Sequence, residues 1–227
     1  MTPEQLAARH SYLYHVTSPD AWPSIERHGL RSTKSLLDLF EVPAEMCHEV
    51  TTRRRTTEIS VGHPVHGRAT IHDNRPLSEA ALARCLDDGL RPEDWLALLN
   101  QRVFFWVDHD GVDSLLGART NRRRSRAVLV FDTLRLVRAN ADRVEVSPIN
   151  SGSTIRKPAR RGSTTFTPLL PMDYAAWRRQ RGRLDRVREV VVVGDVADVA
   201  DHLVDCWISE PRVNSRIDRA SRVFSSI

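Results

Sequence analysis

Apolar and polar positions along the chain fall into short strand-like and helix-like segments. Ser11-Tyr12-Leu13-Tyr14-His15-Val16-Thr17 is aromatic and β-branched and predicts a first strand, followed by a turn at Ser18-Pro19-Asp20. Residues 21–28 set Trp22 and Ile25 at helical spacing, with Gly29 where a left-handed C-terminal cap belongs. Ser32-Thr33 can cap a second helix through Phe40, whereas residues 41–75 lack clean periodicity. Residues 78–87 and 92–100 predict amphipathic helices, the second opened by Pro92-Glu93-Asp94 with its acids at the positive end of the helix dipole. Val103-Phe104-Phe105-Trp106-Val107 is continuously apolar, the pattern of a strand buried on both faces. A short helix over 112–116 and a strand over 127–131 follow. Residues 147–162 form a long Gly/Ser/Pro/Arg stretch that predicts a structured loop. A helix over 174–181 and the β-rich run Val187-Arg188-Glu189-Val190-Val191-Val192-Val193 come next, and then the segment 196–204.

No internal repeat and no Pro/Gly linker divides this pattern, so the expectation is one α+β domain over residues 1–227, with a helical or loop insertion near 41–100. The 227 residues suffice to bury a core, and no run approaches the ~18 apolar residues of a membrane helix. Glu4, Gln5 and Arg9 stand where a signal peptide would be apolar. Cys47, Cys85 and Cys206 are too few and too scattered for a disulfide framework. These features predict a cytoplasmic protein with no membrane partner. Charge is unevenly divided: residues 1–113 hold 12 Lys+Arg against 17 Asp+Glu, and residues 114–227 hold 22 against 12. Of the 34 cations only Lys34 and Lys157 are lysine, so the recurring cation is the forked guanidinium, which suits phosphates and carboxylates.

Several enzyme classes are disfavoured by missing motifs. The chain has no Gly-x-Gly-x-x-Gly after a strand, no phosphate loop ending Gly-Lys-Ser/Thr, no His-Glu-x-x-His and no Gly-x-Ser-x-Gly. Cys47-His48 with His63 and His66 has ligand chemistry but no compact zinc spacing, so no metal is expected. Glu189 interrupts an apolar strand; burying a carboxylate costs several kcal/mol unless it is paired, so it either faces solvent at an edge or sits in a cleft. His15, in the first strand, is either a satisfied structural residue or part of a site.

Taken together, three segments resemble a known group. Tyr14-His15-Val16-Thr17 with Trp22-Pro23-Ser24-Ile25-Glu26-Arg27-His28-Gly29-Leu30 is similar to the opening strand and helix of ADP-ribosyltransferases, in particular the DarT-type toxins that modify nucleic acid. Val103-Phe104-Phe105-Trp106 resembles that group's second strand, and Arg188-Glu189-Val190-Val191-Val192 its Glu-bearing strand. The phrases His28-Gly29-Leu30, Ser147 to Thr154 and Arg161-Gly162 also resemble an uncharacterised bacterial family beside DarT.

The resemblance implies an ADP-ribosyltransferase-like split mixed β-core with peripheral helices and an NAD-dependent transfer of ADP-ribose with loss of nicotinamide. NAD is the implied co-substrate and nucleic acid the implied acceptor, with an antitoxin or hydrolase as the implied partner. Glu189 takes the role of the catalytic carboxylate that orients the ribose and stabilises positive charge developing on it. His15 anchors a ribose hydroxyl, Thr17 and Ser24 lie nearby, Phe105 or Trp106 offers a stacking face, and an Arg among Arg31, Arg102 and Arg119 meets the diphosphate. The loop residues Asn150, Ser151, Ser153, Arg156, Arg160 and Arg161 are expected to bind acceptor phosphates, with Arg122–126 and Arg178–188 extending the surface. Two departures narrow the comparison. Val107-Asp108-His109-Asp110 stands where the DarT-type strand is followed by Pro-Arg, and Val187 stands two residues before Glu189 where other transferases carry Glu or Gln. An RNA 2′-phosphotransferase and a non-catalytic nucleic-acid-binding protein on the same fold are the alternatives.

Overall fold

A computed structural model describes residues 1–119, 121–155, 157–181 and 186–211. Helix α1 (Pro3–Ala7) precedes strand β1 (Tyr12–Thr17), and a 3-10 turn at Pro19–Ala21 leads into α2 (Trp22–His28). Helices α3 (Thr33–Leu39) and α4 (Ala44–Thr52) are followed by β2 (Ile59–His63) and β3 (Gly67–Ile71). Next come α5 (Glu79–Cys85), α6 (Pro92–Leu99), β4 (Arg102–Trp106), α7 (His109–Gly117), β5 (Arg126–Asp132), α8 (Thr133–Ala139) and β6 (Val144–Ser147). The described chain ends with β7 (Thr167–Pro168), α9 (Tyr174–Arg181), β8 (Glu189–Val193), α10 (Val199–His202) and β9 (Leu203–Ser209).

Among the described residues seven strands form one sheet in the order β7-β6-β8-β4-β1-β5-β9, while β2 and β3 pair only with each other. Every ladder is antiparallel. The α+β class with peripheral helices is therefore as expected, and the mixture lies in helices and strands rather than in strand direction. The sheet is nearly divided between β1 and β4. β1 pairs with β5 along its whole length, from Tyr12↔Asp132 to Thr17↔Ala127, and β4 pairs with β8 from Arg102↔Val193 to Trp106↔Glu189. Only Tyr14↔Trp106 joins β1 to β4.

Both faces of the sheet are covered, which explains the apolar runs in β4, β5 and β8. Leu13, Phe105, Leu129, Val190 and Val192 pack on one face with Leu6, Leu136 and Trp177 from α1, α8 and α9. On the other face Phe104 and Val191 meet Leu82, Trp95, Leu96 and Phe166, and Tyr14, Val128 and Val130 meet Val112 and Leu116 of α7. A separate cluster of Leu37, Phe40, Cys47, Val50, Val61 and Ile71 lies under the β2–β3 hairpin.

The aperiodic stretch 41–75 contains α4 and this hairpin. Its alternation is carried by Ile59, Val61, Ala69 and Ile71 around a His63-Pro64-Val65-His66 turn, a weaker signal than an Asn-Gly turn. Strands β6, β7 and β9 were not predicted because β6 and β7 are short and β9 is an edge strand carrying Asp205 and Cys206. Helix α8 starts without a break after β5, its first turn capped by Asp132 accepting from the Arg135 N–H at 2.8 Å.

Gly29 ends α2 as expected but at φ 77°, ψ 176° rather than in the left-handed helical region. That turn lets Leu30 and Val196 exchange backbone hydrogen bonds of 2.9 and 2.8 Å. A Cβ on Gly29 would lie 2.4 Å from the Val196 carbonyl oxygen. Gly29→Ala is expected to destabilise the protein by about 1–3 kcal/mol. Gly89→Ala, also at positive φ but with nothing within 4 Å, should lose less in the same urea titration.

Candidate functional site

Where β1 leaves β4 a cavity of about 470 Å³ opens. β1 contributes His15, Val16 and Thr17; α2 and the turn after it contribute Ser24, Ile25 and Arg31; and β4 contributes Arg102, Val103 and Phe104. The third wall is the hairpin and its flanks, with Arg55, Arg68, Thr70, His72 and Asp73. Its size is that of a small-ligand site, and its rim carries hydroxyls and guanidinium groups.

His15 is fixed at the split. Its Nδ1–H donates to the Phe104 carbonyl at 2.9 Å, replacing a ladder hydrogen bond that β1 and β4 do not make there, and its ring tilts against Phe105 with centroids 5.8 Å apart. Burial pushes the imidazole down to about 4, against the opposing effect of the Phe104 carbonyl, so the ring is neutral near pH 7 and Nε2 is an acceptor. Thr17 is buried, and both it and Ser24 line the cavity. Arg31 also lines it, but its Nη1 already donates to Asp195 at 2.9 Å and its Nε to the His28 carbonyl at 2.8 Å. Arg102 reaches the cavity lining too, yet its guanidinium is held by Glu145 and the Leu98 carbonyl at 2.8 and 2.7 Å.

The other expected contacts lie elsewhere. Phe105 is 1% exposed and packs edge-on against Phe131, so it offers no stacking face. Trp106 lies under the first turn of α7, where a Cβ on Gly111 would come within 2.4 Å of its ring. Arg119 is exposed beyond α7 and does not line the cavity. Arg156 lies outside the described residues, as do residues 182–185 of the expected basic surface.

Glu189 is 4% exposed and likewise does not line the cavity. Its register with Trp106, and that of Trp106 with Tyr14, puts these three on one face of the sheet, whereas His15 alternates to the other. The carboxylate accepts from the Ser151 N–H at 3.2 Å and from the Ser151 hydroxyl at 2.6 Å. Arg161 fastens the same loop from inside, donating to the carbonyls of Ser151 at 2.8 Å, Ser153 at 3.0 Å and Ala159 at 3.1 Å, with its guanidinium 5.8 Å from the Trp95 ring centroid. Ser151 and Arg161 are thus buried at 0% and 2% exposure, not arrayed on the outer surface for phosphates as expected. They meet a carboxylate and peptide carbonyls because an interior cation requires partners. Asn150, Lys157 and Arg160 are exposed, Arg160 in an ion pair with Asp87, and Ser153 is half-buried.

Arg55, Arg68, His72 and Asp73 are cavity residues that sequence reasoning missed. The alternation across residues 59–71 is the signal that would have found their hairpin. His63 and His66 stack with centroids 4.6 Å apart, Cys47 lies in the core under them, and among the described residues no group of three or more His, Cys, Asp or Glu is arranged to hold a metal ion. No helix among the described residues is long and apolar enough to cross a membrane.

The fold is an α+β sheet protein with a polar cavity at a break in the sheet. The chain belongs to a family of unknown function, DUF7002, whose profile matches residues 11–203. No curated protein matches it. Among solved structures, Thermosipho africanus DarTG in complex with ADP-ribose is similar, with a TM-score of 0.45 and 14% identity over 88% of this chain and 44% of that one. The chain thus spans less than half the length of that structure.

Burial raises the Glu189 carboxyl from its ordinary value of 4.5 to about 7, against the opposing Ser151 hydrogen bonds and the Arg161 charge. Between those values the folded protein keeps a proton that the unfolded chain has released, so this group makes stability fall as pH rises through that interval and leaves it level above. Glu189→Gln, whose amide oxygen still accepts from the Ser151 N–H, is expected to remove that slope. Urea unfolding at pH 5 and pH 8 should show a gain at pH 8 on the order of 1–3 kcal/mol over wild type, and a clearly smaller one at pH 5.

Proposed function

We propose that this chain is an NAD-dependent ADP-ribosyltransferase, folded as one domain over residues 1–227, that transfers ADP-ribose to nucleic acid with loss of nicotinamide. The observation that carries the reading is the adjacency of β1, β4 and β8. These strands bear the three motifs that resemble the transferases, they are far apart in sequence, and they lie side by side in the sheet, which opens between β1 and β4 beside His15.

In this reading a ribose hydroxyl donates to His15 Nε2, and the hydroxyls of Thr17 and Ser24 meet further sugar or amide groups. Arg31 meets the diphosphate by exchanging the Asp195 partner of its Nη1 for phosphate oxygens. The lining supports such a ligand: four arginines, Arg31, Arg55, Arg68 and Arg102, line the cavity with the acids Asp20 and Asp73. Glu189 supplies the carboxylate that stabilises positive charge developing at the ribose, for which it must release Ser151. A carboxyl poised near 7 can change protonation state as it does so. Exposed Arg122, Arg123 and Lys157 in the basic half of the chain meet acceptor phosphates, as do Asn150, Ser153 and Arg160, the last released from Asp87.

One observation favours a second reading, a non-catalytic nucleotide- or nucleic-acid-binding protein: Glu189 stands outside the cavity lining and is occupied by Ser151.

Adenine-labelled NAD incubated with wild type and separate pools of DNA, RNA and protein is expected to give label transfer to nucleic acid with nicotinamide release. Glu189→Gln should lower that turnover by about 10²-fold or more with NAD affinity retained. Calorimetry on His15→Ala should show weakened NAD binding. NAD bound but intact in every pool would favour the second reading, and no NAD binding at all would remove both roles of the cavity residues.

A further inference from the structure

On the hairpin side of the cavity three side chains form a relay that the transferase reading does not use. The Ser18 hydroxyl lies 3.3 Å from His72 Nε2, and His72 Nδ1 lies 3.1 Å from Glu58 Oε1. The tautomer that satisfies both contacts carries its proton on Nδ1, donated to Glu58, and presents the Nε2 lone pair to the Ser18 O–H. Glu58 is itself fixed by Arg124 Nη1 at 2.6 Å and Arg126 Nη2 at 3.3 Å, both from the segment that enters β5. A hydroxyl, a base in contact with it and a carboxylate orienting that base are the parts of an activated nucleophile. Ser18 and His72 both line the cavity, so the pair borders space in which a substrate fits.

We propose that Ser18, His72 and Glu58 form a nucleophilic triad that cleaves small acyl esters whose alcohol portion carries an anionic group. The proposal rests on the cavity but not on NAD. Ser18 Oγ bonds to the ester carbonyl carbon as its proton passes to His72 Nε2. The bond from that carbon to the alcohol oxygen then breaks, and the alcohol leaves with the proton from His72. Water attacks the acyl-serine next, giving its proton to His72, and Ser18 recovers a proton as the carboxylic acid departs. Arg68 lines the same cavity and its side chain makes no hydrogen bond or ion pair among the described residues, which leaves its charge available to the carbonyl oxygen or to the anionic group of the alcohol. Glu58 is a positioning residue: it touches His72, not the substrate.

The electrostatics of His72 suit a base. Burial lowers its imidazole and the Arg126 charge adds to this, while Glu58 and Asp73 oppose it, so the ring is neutral near pH 7. The charged or titratable groups facing it are Glu58 and Asp73 at the hairpin ends, Arg126 of β5 and His15 of β1, and Arg55 donates to its carbonyl at 3.1 Å. Burial alone would raise Glu58, but hydrogen bonds from His72 and Arg126 bring it below the ordinary range, so it is ionised.

A fluorophosphonate probe and p-nitrophenyl acetate test the triad on the purified full chain. Peptide mapping should find the probe on Ser18, with labelling lost in Ser18→Ala. His72→Gln should slow both labelling and ester hydrolysis by about 10²–10⁴-fold. Glu58→Gln should slow them less and shift the His72 limb of the pH–rate profile to lower pH, a movement that loss of a merely structural contact would not give. Ser18 carries no helix-capping hydrogen bond, so Ser18→Ala is expected to fold, and circular dichroism checks this. No labelling of wild type, or equal labelling of Ser18→Ala, overturns the triad. The NAD titrations on His15→Ala report separately, so failure of the transferase reading and failure of the triad are distinguishable.

Discussion

The structure depends on how two strands manage to part inside a covered sheet. Backbone donors and acceptors left without ladder partners in an interior are costly, so a split survives only where something else satisfies them. Here His15 does so, donating through Nδ1 to the Phe104 carbonyl just past the single Tyr14↔Trp106 pair. One side chain thereby replaces a ladder bond and fixes the edge of the cavity, while burial keeps its ring neutral. The hydroxyls, guanidinium groups and relay around that cavity are arranged about this break.

A second polar centre lies one strand further along and works in the opposite sense. The Glu189 carboxylate is closed off by Ser151, and Arg161 is closed off by the carbonyls of the same loop. Each group satisfies the loop that covers it, so residues 151–155 and 157–161 are held by interior chemistry although their composition is that of a surface linker. Removing one partner of such a centre leaves the others buried without compensation, whereas an isosteric neutral replacement need not.

The strands carrying long apolar runs were legible in the sequence because burial on both faces requires such runs, β4, β5 and β8 among them; the Ser32 cap of α3 and Pro92 in the first turn of α6 were legible as helix starts. The order of these strands was not, since antiparallel neighbours such as β4 and β8 come from segments far apart in the chain. His15, Thr17, Ser24 and Arg31 come together at one cavity, and they sit on or just beyond the first strand and helix, whose local pattern is clear. Phe105 and Trp106 were misplaced as ligand contacts because alternation sends them to opposite faces of a covered strand, one into the core and the other under α7. Ser151 and Arg161 were read as surface residues because nothing local in the sequence reveals that Trp95 and Glu189 close over them.

The hairpin β2–β3 shares no ladder with the seven-stranded sheet, and Arg124 and Arg126 tie it to β5 through Glu58. A two-stranded hairpin is marginal alone, so its opening free energy is set by the small cluster beneath it and by those ion pairs rather than by the sheet. Its amides therefore belong to a cooperative unit of their own, exchanging with solvent while β4, β5 and β8 remain protected. Any ligand that bridges the hairpin to β1 couples the two units, and its affinity is recorded as slowed exchange at Ser60 to Thr70.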